Sequence, residues 1–170
     1  VFTGDLVNHR AVELNDFQEI LAGLKAGDGV YSILGNHDYG PYFHWKSKQD
    51  QDNNLIELKQ RQAAMGWKLL NNEHTFLIQG NDSIEGMFNL LLSHNPTHWR
   101  REVLPESDID LMLAGHTHAM QLQLGNYSPS VYIYPEWGGM YLEGTRGLYV
   151  NVGIGYVGLP FRFGAWPEIT

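Results

Sequence analysis

The 170-residue chain is 43% hydrophobic, 18% charged and 12% aromatic, the composition of a globular chain able to bury a sizeable core, and it is read as a single domain over residues 1–170. It has no cysteine, which excludes disulfides and thiolate metal sites. A formal net charge of -8 excludes a broad nucleic-acid surface, and an anionic substrate would need local positive charge, which bound metal ions supply.

The opening "VFTGDLVN" reads as the end of a buried strand feeding a loop. The rest of that strand, its partner and any membrane anchor are expected upstream. Residues 11–26 place Val12, Phe17, Ile20, Leu21 and Leu24 near helical spacing, with Gly27 as the stop. "GVYSILGNHDYG" predicts a strand ending at Gly35 and a loop after it, and residues 52–65 predict an amphipathic helix that stops at Gly66. Strand alternating with helix implies a largely parallel sheet.

Beyond this point "WKLLNN", "TFLIQG", "MFNLLLSH", "DIDLMLAGH" and "LYVNVG" read as strands, with one helical pattern near "THWRREVL". The segment "NDSIEGMFNLLL" is abrupt, which implies either a tight connection or a loop missing near 84–85. No apolar run approaches the roughly 18 residues of a membrane span. The expected fold is α/β (α+β), with two packed sheets and outer helices.

Four blocks share one design, in which a short apolar strand ends and polar, ligand-type residues follow at once. They are "FTGDLVN" with Asp5 and Asn8, "SILGNHDY" with Asn36, His37 and Asp38, "LLLSHNP" with His94, and "LMLAGHTH" with His116 and His118. Ligands bind at the carboxyl ends of strands in open α/β sheets, so the blocks are expected to converge on one rim. If residues 116–118 were extended, both imidazoles would project from one edge with Thr117 turned aside. Carboxylate, amide and imidazole together suit Mn, Fe or Zn. Arg162, in "PFRFG", is a candidate phosphate clamp. His44 and His98 fit surface packing better than substrate contact.

The order "GDLVN", "GNHD", "SHNP", "GHTH" resembles the calcineurin-like metallophosphoesterase superfamily. Its blocks run D-x-H, G-D-x-x-[DN], G-N-H-[DE], a histidine after an apolar strand, and G-H-x-H. The stretches "SHNPTHWRREVLP" and "GLPFRFGAWPEI" are similar to a bacterial branch of membrane-associated phosphodiesterases and UDP-2,3-diacylglucosamine pyrophosphatase-like enzymes. The resemblance implies a four-layer sandwich of two mixed β-sheets flanked by helices, here lacking its N-terminal part. It implies two divalent metal ions, with Asp5 bridging them, Asn36, His94 and His116 completing one site, and His118 belonging to the other. It makes His37 the residue facing the scissile phosphate, Asp38 the residue that orients it, and Asn8 a hydrogen-bonding support for the Asp5 loop.

No D-x-H precedes "GDLVN", so one metal site is incomplete in these residues, and the motif is expected upstream. The implied activity is hydrolysis of a phosphodiester or pyrophosphate by a metal-bound hydroxide. The implied substrate is a phosphorylated small molecule or nucleotide-linked lipid, in a membrane-associated bacterial protein. The alternative is a non-catalytic metal-binding scaffold, against which the presence of His37 argues.

Overall fold

A computed structural model describes residues 1–77 and 87–170. The chain forms two compact units, Val1–Ile84 and Glu85–Thr170. Each contains a β-sheet with helices against it, so the α/β architecture of two sheets flanked by helices is the one observed.

In the first unit, strands β1 (Val30–Ser32) and β2 (Trp67–Leu69) pair in parallel, Val30 opposite Trp67. Phe2 makes a parallel bridge to Ser32, donating to Tyr31 O and accepting from Ile33 N–H. The opening residues are therefore half-buried or exposed rather than a buried strand. The expected helix over 11–26 is broken into a 3-10 turn, Ala11–Asp16, and a short helix α1, Gln18–Ala22. Ala11 and Leu14 point inward, whereas Val12, Phe17, Ile20 and Leu24 are exposed. The cause is the Glu13 carboxylate, which accepts from the main-chain N–H groups of Asn8, His9 and Arg10 at 2.8, 3.0 and 2.8 Å. That bracket holds a tight first turn, and of the expected apolar face Leu21 packs against the core.

Helix α2 (Lys48–Ala64) begins four residues earlier than residue 52, because Ser47 Oγ accepts from Asp50 N–H and caps it. Its inward stripe is Asn54, Leu58 and Gln62, spaced by four. Leu58 is fully buried with Val7, Ala11 and Leu14, while Asn54 Oδ1 accepts from Ala11 N–H and Gln62 Oε1 from Ser32 Oγ–H. The helix thus joins the loop after Asp5 to the strand before Gly35 through one apolar and two polar contacts.

The second unit holds a four-stranded mixed sheet in the order β3 (Leu90–Leu92), β4 (Leu111–Ala114), β6 (Arg146–Val150), β5 (Gly139–Glu143). The first three are parallel, and β5 runs antiparallel to β6. Met112, Ala114, Leu148 and Val150 are buried with Trp99 and Val103 of the helical segment Trp99–Val103, which continues into α3 (Leu104–Glu106). Arg146 closes that segment by donating to the carbonyls of Val103, Leu104 and Ile109. In "TFLIQG", residues 75–77 are not in a strand, and residues 78–80 lie outside the described residues, as does the expected loop near 84–85.

Leu58→Ala removes the only apolar side chain from the buried stripe of α2 and leaves a cavity. The expected loss is about 2–5 kcal/mol of stability, read from urea denaturation.

Candidate metal and phosphate site

Each unit brings two of the four sequence blocks together at strand carboxyl ends. In the first unit, the loop after Phe2 meets the turn after β1. Gly35 is required there: a Cβ at that position would lie 2.2 Å from Asp5 Oδ1 and 2.5 Å from Asp5 N. Asp5 itself has φ 59°, and its Oδ1 accepts from His37 N–H at 2.8 Å. The carboxylate is thereby fixed at the tip of the loop.

Asp38 is fully buried, and its two oxygens accept four main-chain N–H groups: Leu6 at 2.8 Å, Gly35 at 2.8 Å, Asp5 at 2.9 Å and Val7 at 3.3 Å. Burial pushes its carboxyl up to about 6, the Gly35 N–H opposes that rise, and the charge of Asp5 adds to it. The expectation that Asp38 orients His37 is corrected by this geometry, because its oxygens are committed to the Asp5 loop. Asn8 orients His37 instead, its main-chain carbonyl lying 2.8 Å from His37 Nδ1. A carbonyl only accepts, so Nδ1 carries the proton of that bond. The hydrogen bonds of exposed Asn8 are made by its main chain, its N–H to Glu13 and its carbonyl to His37. Asn36 Nδ2 donates to Tyr42 Oη at 3.0 Å.

In the second unit, His94 and His116 follow β3 and β4, which are adjacent and parallel, so both stand at one carboxyl edge. His116 Nδ1 lies 3.0 Å from His94 Nε2, and His116 Nε2 lies 2.8 Å from Tyr134 Oη. Nitrogens bound to one ion at about 2.1 Å are roughly 3.0–3.4 Å apart for bond angles between octahedral and tetrahedral, so this pair fits a shared divalent metal.

Residues 116–118 are not extended. His116 and His118 have φ 73° and 48°, and Thr117 is buried, donating through Oγ1 to Trp137 O at 2.6 Å. The two imidazoles consequently have different neighbours. His118 Nδ1 is 3.2 Å from Arg162 Nη2; arginine only donates, so Nδ1 is the acceptor of that bond.

Arg162 is not a free phosphate clamp. Nε donates to Gly155 O, Nη1 to Ala165 O and Trp166 O, and Nη2 to Val152 O and His118 Nδ1. All five N–H groups have partners within the unit, and burial lowers the guanidinium from its ordinary value. His98 is likewise structural, bonded to Ser93 Oγ and paired with Glu102. Sequence reasoning missed Tyr134 and Glu13. Nothing in "YIYPEW" or "AVELND" marks these residues, because their partners are set by tertiary placement.

A family model described as calcineurin-like phosphoesterase matches residues 1–120. The chain belongs to the calcineurin-like phosphoesterase family. It is 35% identical over 197 residues to the uncharacterized metallophosphoesterase YkuE of Bacillus subtilis, covering 100% of this chain and 65% of that protein. It is 26% identical over 201 residues to a bovine transmembrane protein with metallophosphoesterase domain, covering 100% of this chain and 44% of that protein. A Helicobacter pylori metallophosphoesterase is 29% identical over 198 residues, covering 98% and 48%. The chain therefore spans between about half and two thirds of the length of these relatives. No solved structure matches it. Among the described residues no helix is long and apolar enough to cross a membrane.

Asp38→Asn turns one acceptor oxygen into a donor facing main-chain N–H groups. The expected cost is about 1–3 kcal/mol, with faster amide hydrogen exchange at Leu6 and Gly35. Arg162→Lys cannot reproduce five directed bonds, so hydrogen exchange should accelerate across residues 152–166 while Leu6 and Gly35 keep wild-type rates.

Proposed function

We propose that this phosphoesterase hydrolyses a phosphodiester or pyrophosphate with divalent metal ions, using Asp5, Asn36, His94, His116 and His118 as donors. The observation that carries the reading is the pair of imidazole nitrogens 3.0 Å apart at the ends of two parallel strands. The donor chemistry of carboxylate, amide and imidazole suits Mn, Fe or Zn. When bound, two such ions supply positive charge against phosphate oxygens and lower the pKa of water for in-line attack at phosphorus.

The chain's own residues then have separate tasks. His37, its Nδ1 proton held by the Asn8 carbonyl, presents Nε2 to a phosphate oxygen. Protonated, it donates from Nε2, either to charge developing on that oxygen or to the leaving group. Asp38 keeps the Asp5 loop against Gly35, so the Asp5 carboxylate needs little reorganisation when ligands bind. Arg162 holds His118 and the segment from Val152 to Trp166 in one arrangement. The similarity of "SHNPTHWRREVLP" and "GLPFRFGAWPEI" to one bacterial branch extends the proposal to a nucleotide-linked lipid or another cell-envelope phosphodiester as substrate.

The test is hydrolysis of bis-p-nitrophenyl phosphate, compared with the monoester, with Mn²⁺ added and then chelated. The expected result is chelator-sensitive diester turnover. His37→Ala should retain metal and lose roughly 10²–10⁴-fold in kcat, whereas His116→Ala should lose metal. Equal metal loss in both variants would contradict this division of roles.

A further inference from the structure

We propose that Tyr134 is the positioning residue that makes His116 a metal ligand through Nδ1, an inference that rests on the metal-dependent reading above. His116 is engaged at both ring nitrogens, Nδ1 toward His94 Nε2 at 3.0 Å and Nε2 toward Tyr134 Oη at 2.8 Å. The tyrosine ring stands almost perpendicular to the imidazole, 89° with centroids 5.3 Å apart. A neutral imidazole carries one N–H, and its two neighbours decide which nitrogen bears it.

Tyr134 can donate or accept, and the two choices have opposite consequences. If its hydroxyl donated to Nε2, the ring proton would sit on Nδ1 between the two histidines and block a metal there. If Tyr134 accepts from Nε2–H, Nδ1 presents its lone pair beside the lone pair of His94 Nε2. Only the second arrangement gives two donor nitrogens on one side, so Tyr134 acts as acceptor and sets the tautomer. The phenol also lends the ring basicity, as carboxylate and carbonyl partners do for other metal-bound histidines. His118 Nδ1, by contrast, faces the donor-only Arg162. The two histidines of "GHTH" are therefore held by opposite chemistry.

The experiment is Tyr134→Phe in the full chain, with Zn²⁺ and Mn²⁺ affinities measured by competition against a chromophoric chelator and His116 read by ¹⁵N-imidazole NMR without metal. The variant should bind roughly 10–100-fold more weakly, and the wild-type ring should show the proton on Nε2. Unchanged affinity in Tyr134→Phe, where His116→Ala loses metal, overturns the positioning role while leaving the metal site standing. A wild-type His116 protonated on Nδ1 overturns it as well, independently of whether the variant folds. Failure of wild type itself to bind either ion overturns the metal-dependent reading, and this inference falls with it.

Discussion

Irregular backbone at a strand end has amide and carbonyl groups that no ladder satisfies, and in this protein one charged side chain in each unit, buried Asp38 and half-buried Arg162, meets that need. Asp38 accepts from four main-chain N–H groups of the Asp5 loop and Gly35. Arg162 donates to four carbonyls between Val152 and Trp166 and to His118. A carboxylate only accepts and a guanidinium only donates, so each organises a loop whose exposed valences are of one kind. Asp5, Asn36 and His37 are carried by the loop and turn that Asp38 organises, and His118 is tied to the segment that Arg162 organises.

This dependence changes what several residues do. A carboxylate beside a histidine in "GNHD" invites a catalytic pairing, but a group that satisfies four buried N–H donors cannot leave them without leaving buried amides unpaired. The histidine is oriented instead by a main-chain carbonyl, which sets its tautomer without adding charge. An arginine near the end of the chain invites a phosphate clamp, yet its five donors are filled inside its own unit. Residues at the loop tips are held by neighbours of their own, His37 by the Asn8 carbonyl, His116 by Tyr134 and His118 by Arg162.

Much of this was legible in the sequence. The positions of three of the four blocks after short apolar strands, Gly35, and the helix ending before Gly66 all follow from patterning and turn chemistry. The helix expected over 11–26 failed because periodicity alone cannot register Glu13 gathering three N–H groups and tightening the turn. The pairing of His116 and His118 on one edge failed because the chain leaves the extended region at once, into left-handed φ, where alternate side chains no longer share a face.

The amino-acid sequence by itself determined the family, the class of ligand chemistry and which segments end at the functional edge, since each is a local matter of residue type and spacing. The tertiary structure alone decided that the Asn8 carbonyl meets Nδ1 of His37, that His116 lies between His94 and Tyr134, and that Asp38 and Arg162 are organising charges. Those outcomes depend on hydrogen bonds between residues up to 44 positions apart, whose partners are chosen by packing and burial and leave no mark on the intervening sequence.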